Sequence, residues 1–170
     1  VGPAAKPGQE DPELVDAGSR LVTLRSGAAI FDSAASFAMI RGGHLDITIL
    51  GAYQVAANGD VANWDALMPN KGPLIGGAMD LAKGAKAVHI IMRHNTKDGS
   101  ARLVAECTYP LTTPGKVNRV YTDLAVLDVK AGQFIAREII PGLSRDELTA
   151  RTDAPLAFAD DCSELVAPEL

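Results

Sequence analysis

Leu45-Asp46-Ile47-Thr48-Ile49-Leu50-Gly51-Ala52 is the stretch on which the fold turns. Its first six residues are β-branched and apolar with a single charge, the pattern of a buried strand. A glycine stands at the carboxyl end. Just upstream, Asp32 or Ser33 is placed to cap a helix running through Ile40, and Gly42-Gly43 stops it. Downstream, Asn58-Gly59 is a tight-turn signal of the hairpin kind, and Val61-Ala62-Asn63-Trp64 reads as loop or edge strand. Ile75-Gly76-Gly77 then opens a short helix over Ala78–Lys83, and Ala87–Met92 is a second strong strand.

The ends of the chain are less regular. Val1–Pro12 reads as an extended loop, Asp11–Asp16 as a turn or short helix stopped by Gly18, and Leu21–Leu24 as a short strand. Gly27–Phe31 is strand or loop. Beyond the second strong strand, Ala101–Glu106 is expected to be helical. Val117–Thr122, Leu124–Val129 and Phe134–Ile139 read as strands, the last two antiparallel around Ala131-Gly132. Ser144-Arg145-Asp146-Glu147 is a capping box opening a helix to about Thr152, and the residues past Pro155 are expected to fray. Apolar strands alternating with helices point to an α/β fold with an open, mostly parallel sheet and antiparallel edge strands near the C-terminus.

Size and charge narrow the function. The chain has 170 residues, 47% hydrophobic, with net charge −5, enough for one sizeable core. The acidic balance argues against a nucleic-acid binder and suits a cytoplasmic protein. The one basic cluster, Arg93-His94 through Lys97, meets Asp98 at once. No run of 18 apolar residues marks a membrane span. The residues from Val1 show no signal-peptide pattern, which leaves a leader in a parent chain open. Cys107 and Cys162 have neither metal spacing nor a disulfide framework and read as reduced thiols.

Several residues invite a chemical reading beside a plainer one. Gly76 and Gly77 either let the following helix pack closely on the sheet or expose backbone N–H groups to a ligand. Gly51, Ala52 and Gln54 follow a strand at the end where open α/β sheets bind ligands, or they simply form a turn. Asn63-Trp64 is packing or a binding segment. His44, His89 and His94 form no metal-spaced pair and read as structural. Ser33 and Ser36 lack the Gly-x-Ser-x-Gly elbow of a hydrolase, and neither a dinucleotide fingerprint nor a P-loop is present.

Three blocks in order, Ser36–Val55, Gly76–Lys86 and Cys107-Thr108-Tyr109-Pro110-Leu111-Thr112, resemble the B (beta) subunit of class I 3-oxoacid coenzyme A transferases. The resemblance extends from Val1 to about Leu156, a transferase domain over 1–156 followed by a tail over 157–170. It implies an open α/β sheet with helices on both faces. It also implies CoA transfer between an acyl-CoA such as succinyl-CoA and a 3-oxoacid such as acetoacetate or 3-oxoadipate, the chemistry of ketone-body or 3-oxoadipate metabolism. In that family a catalytic glutamate followed by Asn-Gly precedes the Gly-Pro that Gly2-Pro3 matches, so the chain is expected to be a C-terminal portion whose nucleophile lies on a preceding segment.

The implied reaction is covalent. The glutamate attacks the acyl-CoA to give a mixed anhydride, and CoA thiolate then attacks the glutamyl carbonyl to give an enzyme–CoA thioester. The 3-oxoacid reverses the sequence. By the same resemblance Gly77 N–H is the oxyanion donor, with Gly76 beside it, and Asn63 lies in a segment near the active site, while the strand-end position of Gly51, Ala52 and Gln54 makes them the candidates to border the CoA thioester or the acyl group. No metal and no resident cofactor is implied, CoA being a substrate. The implied partners are the A-type (alpha) CoA-transferase subunit, in a heterotetramer, and the glutamate-bearing segment. A nucleophile-less thioester-binding module and a CoA-thioester hydrolase are the alternatives. The chain departs from the family at three places: Leu74 stands for the first glycine of Gly-Met-Gly-Gly, Asp65-Ala66-Leu67-Met68-Pro69 for Met-Ile-Pro after the Trp, and Arg93 for a common Glu.

Overall fold

The apolar runs become strands. In the computed structural model, which describes residues 1–69 and 72–166, nine strands form: β1 (Ile47–Leu50), β2 (Gln54–Ala56), β3 (Val61–Ala62), β4 (Ala87–Ile91), β5 (Leu103–Val104), β6 (Val117–Tyr121), β7 (Ala125–Lys130), β8 (Gln133–Ile139) and β9 (Leu156–Glu164). The helices are α1 (Ser33–Arg41), α2 (Ala78–Gly84) and α3 (Arg145–Ala150). The chain divides into two compact units, Val1–Ser36 and Phe37–Leu170.

The first unit is held by turns. Isolated bridges join Ala4 to Val22 and Val15 to Leu21, so the strand expected over Leu21–Leu24 is reduced to two contact points. Asp16 organises the turn that separates them, its Oδ1 accepting from Gly18 N–H at 2.8 Å and Arg20 N–H at 3.0 Å. No helix forms over Asp11–Asp16, because this Asx geometry competes with it.

The second unit carries a six-stranded sheet ordered β1-β4-β6-β7-β8-β9 and a three-stranded sheet ordered β3-β2-β5. In the large sheet β1–β4, β4–β6 and β8–β9 are parallel, and β6–β7 and β7–β8 antiparallel. The fold is therefore mixed α/β with a mostly parallel sheet, as the alternation of runs specifies. Val55, Val61, Ile90, Leu103, Val120, Leu127, Phe134 and Leu148 are fully buried and form one cluster. Each such side chain contributes roughly 1.5–3 kcal/mol on leaving water.

Local signals are met closely. Asp32 Oδ1 accepts from Ala35 N–H at 2.7 Å, capping α1. Asn58-Gly59 turns β2 into β3 with Gly59 at φ +90°, where glycine carries no steric cost. Ala131-Gly132 joins β7 to β8 with both residues at positive φ. The capping box is complete: Ser144 Oγ accepts from Glu147 N–H at 3.2 Å and Glu147 Oε2 from Ser144 N–H at 2.8 Å. The Ser144 N–H, then the Ser144 hydroxyl donating at 2.7 Å, hold the Glu147 carboxyl below its usual range. Ser144→Ala is expected to cost about 1 kcal/mol, read as a lower urea midpoint at unchanged slope.

Four expectations need correction. The segment expected as buried strand is half open: Thr48 is buried, but Ile47 and Ile49 are 50% and 61% exposed, because β1 is an outer strand with one face uncovered among the described residues. Ala101–Glu106 is not helical; Leu103 and Val104 form β5, drawn into parallel pairing with β2 by full burial. The segment past Pro155 is not a frayed tail up to Glu164, since β9 runs parallel to β8; residues 167–170 lie outside the described ones. Finally, the antiparallel strands are interior, because the α3 crossover returns the chain parallel to β8.

Candidate functional site

Of the expected site residues, Gly51, Ala52 and Asn63 lie in loops directly after strands, Gln54 opens β2, and Gly76-Gly77 lead into α2. Gly51, directly after β1, is exposed and Ala52 is buried. Asn63, directly after β3, reaches back to this end: its Nδ2 donates to Gly51 O at 3.2 Å. Its own N–H donates to Thr112 Oγ1 at 2.9 Å, and that hydroxyl donates to Asn63 Oδ1 at 2.7 Å. Asn63 thus pins the β1 end to the Cys107–Thr112 block. Trp64 continues the same tie, its Nε1 donating to Leu111 O at 3.1 Å. The Trp64 carbonyl accepts from Leu74 N–H at 2.6 Å, which ties the residue two before Gly76 to the same segment.

Within that loop Leu67 sits at φ +52°, a strained conformation for a bulky residue, held by Asp65 Oδ1 accepting its N–H at 2.8 Å. This is the segment where the sequence departs from the family pattern. Leu67, Met68, Leu74, Ile75 and Leu111 are all exposed.

Gly76 and Gly77 differ from each other. A Cβ on Gly76 would meet no atom of the described residues within 4 Å, and its φ is not in the left-handed region. Nothing among the described residues asks for glycine there. A Cβ on Gly77 would stand 2.5 Å from Phe37 Cζ, so Gly77 lets α2 approach α1. The close packing that glycine permits is therefore against a helix rather than against the sheet. Gly77 is the N-cap of α2 at φ −75°, ψ 0°, with no side-chain cap.

Gln54 and Ala52 are placed differently from a lining role. Gln54 is buried and its Oε1 accepts from Thr108 N–H at 2.8 Å and Thr108 Oγ1 at 3.1 Å. The Ala52 carbonyl accepts from Arg102, whose Nε also donates to Tyr53 O at 2.9 Å. Arg102, Thr112 and Phe37 are the residues of this region that sequence reasoning leaves out. Thr112 lies in a block that the sequence singles out; Arg102 carries no signal.

The remaining reactive side chains stand apart. His44 is exposed, and His89 is half-buried with its ring centroid 5.8 Å from that of Tyr121. His94 is fully buried, bonded through Nδ1 to Thr122 Oγ1 at 3.1 Å and through Nε2 to Thr152 Oγ1 at 3.0 Å. Burial, then the charge of Asp60, pushes the Cys107 thiol up to about 11, so it is not a nucleophile at neutral pH. Among the described residues no group of three or more His, Cys, Asp or Glu is placed to hold a metal, and no helix is long and apolar enough to cross a membrane. An open cleft between α1 and α2 is lined by Arg41, Asp80, Lys83 and Gly84.

Comparison with known proteins adds relationship to geometry. Residues 1–151 match the family described as Coenzyme A transferase. The chain is 50% identical over 156 residues to the B subunit of 3-oxoadipate CoA-transferase from Pseudomonas putida, covering 92% of this chain and 73% of that one. It is 44% identical over 160 residues to the B subunit of a probable succinyl-CoA:3-ketoacid coenzyme A transferase from Bacillus subtilis, covering 94% and 73%. An acyl-CoA transferase apoenzyme of Escherichia coli O157:H7 superimposes with TM-score 0.70 at 20% identity, over 86% of this chain and 33% of that one. This last likeness speaks to the fold alone.

Proposed function

The chain belongs to the coenzyme A transferase family, and on that premise we propose that it is the B-type component of an enzyme moving CoA between an acyl-CoA and a 3-oxoacid. What carries the reading is the 50% identity over 156 residues to the B subunit of a 3-oxoadipate CoA-transferase. The 44% identity to a probable succinyl-CoA:3-ketoacid relative supports the same reaction with a different acid. A relative named as the B member of a pair implies an A-type partner, and we extend this to a heterotetramer in the cytoplasm, with succinyl-CoA as donor and acetoacetate or 3-oxoadipate as acceptor. No resident metal or cofactor takes part.

In this reading the nucleophilic glutamate comes from a segment preceding Val1, and this chain supplies the surface on which the glutamyl–CoA thioester forms. Each covalent step passes through an oxyanion. Gly77 N–H is the donor that stabilises it, in a form that side-chain variation leaves untouched. Gly76 keeps the approach clear. Asn63, bonded to Gly51 O and Thr112, serves by fixing the Gly51–Ala52 rim, and Gln54 serves by tying β2 to Thr108 through its Oε1. Leu67, Leu74 and Ile75 form an apolar border against which the thioester and its acyl group exclude water.

Two measurements test this. The chain assembled with its A-type partner and the glutamate segment is incubated with succinyl-CoA, and intact masses are recorded. A glutamate-bearing polypeptide carrying a CoA thioester, discharged by a 3-oxoacid, is the expected result; absence of both adduct and transfer in that full assembly refutes the reading. Gly76→Ala separates function from packing. Folding stability is expected to stay within about 0.5 kcal/mol, while CoA transfer falls at least about tenfold, equivalent to roughly 1.4 kcal/mol of barrier. Unchanged transfer would remove position 76 from the site.

A further inference from the structure

We propose that Arg102 is a positioning residue of this site, capturing with Asn63 three consecutive backbone carbonyls, Gly51, Ala52 and Tyr53, at the carboxyl end of β1. The inference rests on the transferase reading and names a residue that reading does not use. Successive carbonyls of an extended chain point to opposite sides. Here one guanidinium takes both Ala52 O, through its terminal nitrogen, and Tyr53 O, through Nε at 2.9 Å. The backbone must therefore leave the extended path between those residues. Asn63 Nδ2 takes the preceding carbonyl, Gly51 O, at 3.2 Å. Tyr53 N–H is fixed independently, donating to Ala62 O at 2.8 Å.

Arg102 is itself anchored at both backbone groups. Its N–H donates to His94 O at 3.2 Å, and its carbonyl accepts from Val55 N–H at 2.9 Å. The side chain is half-buried, and the ion pairs among the described residues do not include it. A half-buried cation that serves only carbonyl oxygens does two things at a strand end. It draws their lone pairs away from an anionic substrate and developing oxyanion, and it sets a positive charge beneath the turn that the Asp123 carboxylate balances only without direct contact. Lysine cannot replace it, because a single ammonium lacks the rigid fork that spans two carbonyls.

The test compares Arg102→Met and Arg102→Lys with the unsubstituted chain, each assembled with the A-type partner and the glutamate segment. A displaced turn of this kind is expected to lower kcat about 100-fold in Arg102→Met, with KM for acyl-CoA changed less than about threefold. Arg102→Lys is expected to recover under a tenth of the lost activity. Added guanidinium ion, kept below unfolding concentrations, should restore part of kcat in Arg102→Met, and amide exchange should quicken at Ala52–Gln54 while β7 and β8 keep their protection. A kcat near wild type in Arg102→Met, full activity in Arg102→Lys, or exchange that quickens equally throughout would overturn the proposal. Should the unsubstituted assembly transfer no CoA, the transferase reading fails by itself. Exchange at Ala52–Gln54 then decides alone whether the carbonyl capture stands.

Discussion

Deleting the N–H of residue 77 without disturbing the fold is expected to slow CoA transfer about 100- to 1,000-fold, the usual consequence of losing one oxyanion donor. The geometry supplies a way to do it. Gly77 has φ −75°, inside the range to which proline is locked, and the first turn of a helix tolerates proline because its N–H groups lack intrahelical partners. The obstacle is the side chain, since any Cβ there meets Phe37 at 2.5 Å. Phe37→Ala removes that obstacle. In the Phe37→Ala background, Gly77→Ala keeps the N–H and Gly77→Pro loses it. If the donor matters, the first double variant retains transfer close to the Phe37→Ala level and the second loses it, both with similar urea midpoints. Equal activities in the two would assign Gly77 to helix packing alone.

Acidification from pH 7 to pH 4 is expected to remove about 3 kcal/mol of folding stability through His94 alone. Burial is the main cause: it pushes the imidazole down to about 4 from 6.5, against an upward pull from the Asp123 carboxylate and with a smaller downward push from Arg151. Thr152 Oγ1 donates to Leu148 O at 2.9 Å and so accepts from Nε2–H, and the neutral ring is completed when the Thr122 hydroxyl turns from Ala125 O, at 3.1 Å, to donate to Nδ1 at the same distance. Below pH 6.5 the unfolded chain takes up a proton that the folded chain refuses. The contribution is therefore complete above 6.5, declines as pH falls, and stops changing below about 4. Urea midpoints at pH 7, 5.5 and 4 for the wild-type chain and His94→Gln check this. The variant should start lower at pH 7 and show a flatter descent. Parallel descents would place the titration elsewhere.

Both residues show where a sequence can be read and where it cannot. Asp32, Asn58-Gly59, Ala131-Gly132 and Ser144–Glu147 are legible because each signal closes within about four residues, so its partner is on the same line of text. β5 escapes such a reading because two residues are too few to show a period, and the force that makes Leu103 extended is burial beside Val55. β9 escapes it because Asp160, Asp161 and Ser163 give it the look of a solvated tail, although its backbone is paired to β8. In the site, the double glycine and the strand end stand out as backbone features. What holds them does not: Asn63 meets Thr112, and Arg102 meets Ala52 and Tyr53, across stretches that no local pattern spans. His94 gives no sign of its two threonine partners for the same reason.

The order of the strands has a kinetic consequence. β6, β7 and β8 follow one another through tight turns, and α3 folds back on them with Leu148 buried, so their ring closures are short and cheap. β1 finds β4 only by pairing Ile47 with Ala87 and Leu50 with Ile90, a far longer closure that gains most once a template exists. The meander near the C-terminus is thus expected to form first, and the parallel strands β1 and β4, with Gly51 at the end of β1, to join it afterwards. A ribosome, which delivers the chain from its N-terminal end, releases the residues of the site well before the scaffold that gives them their shape.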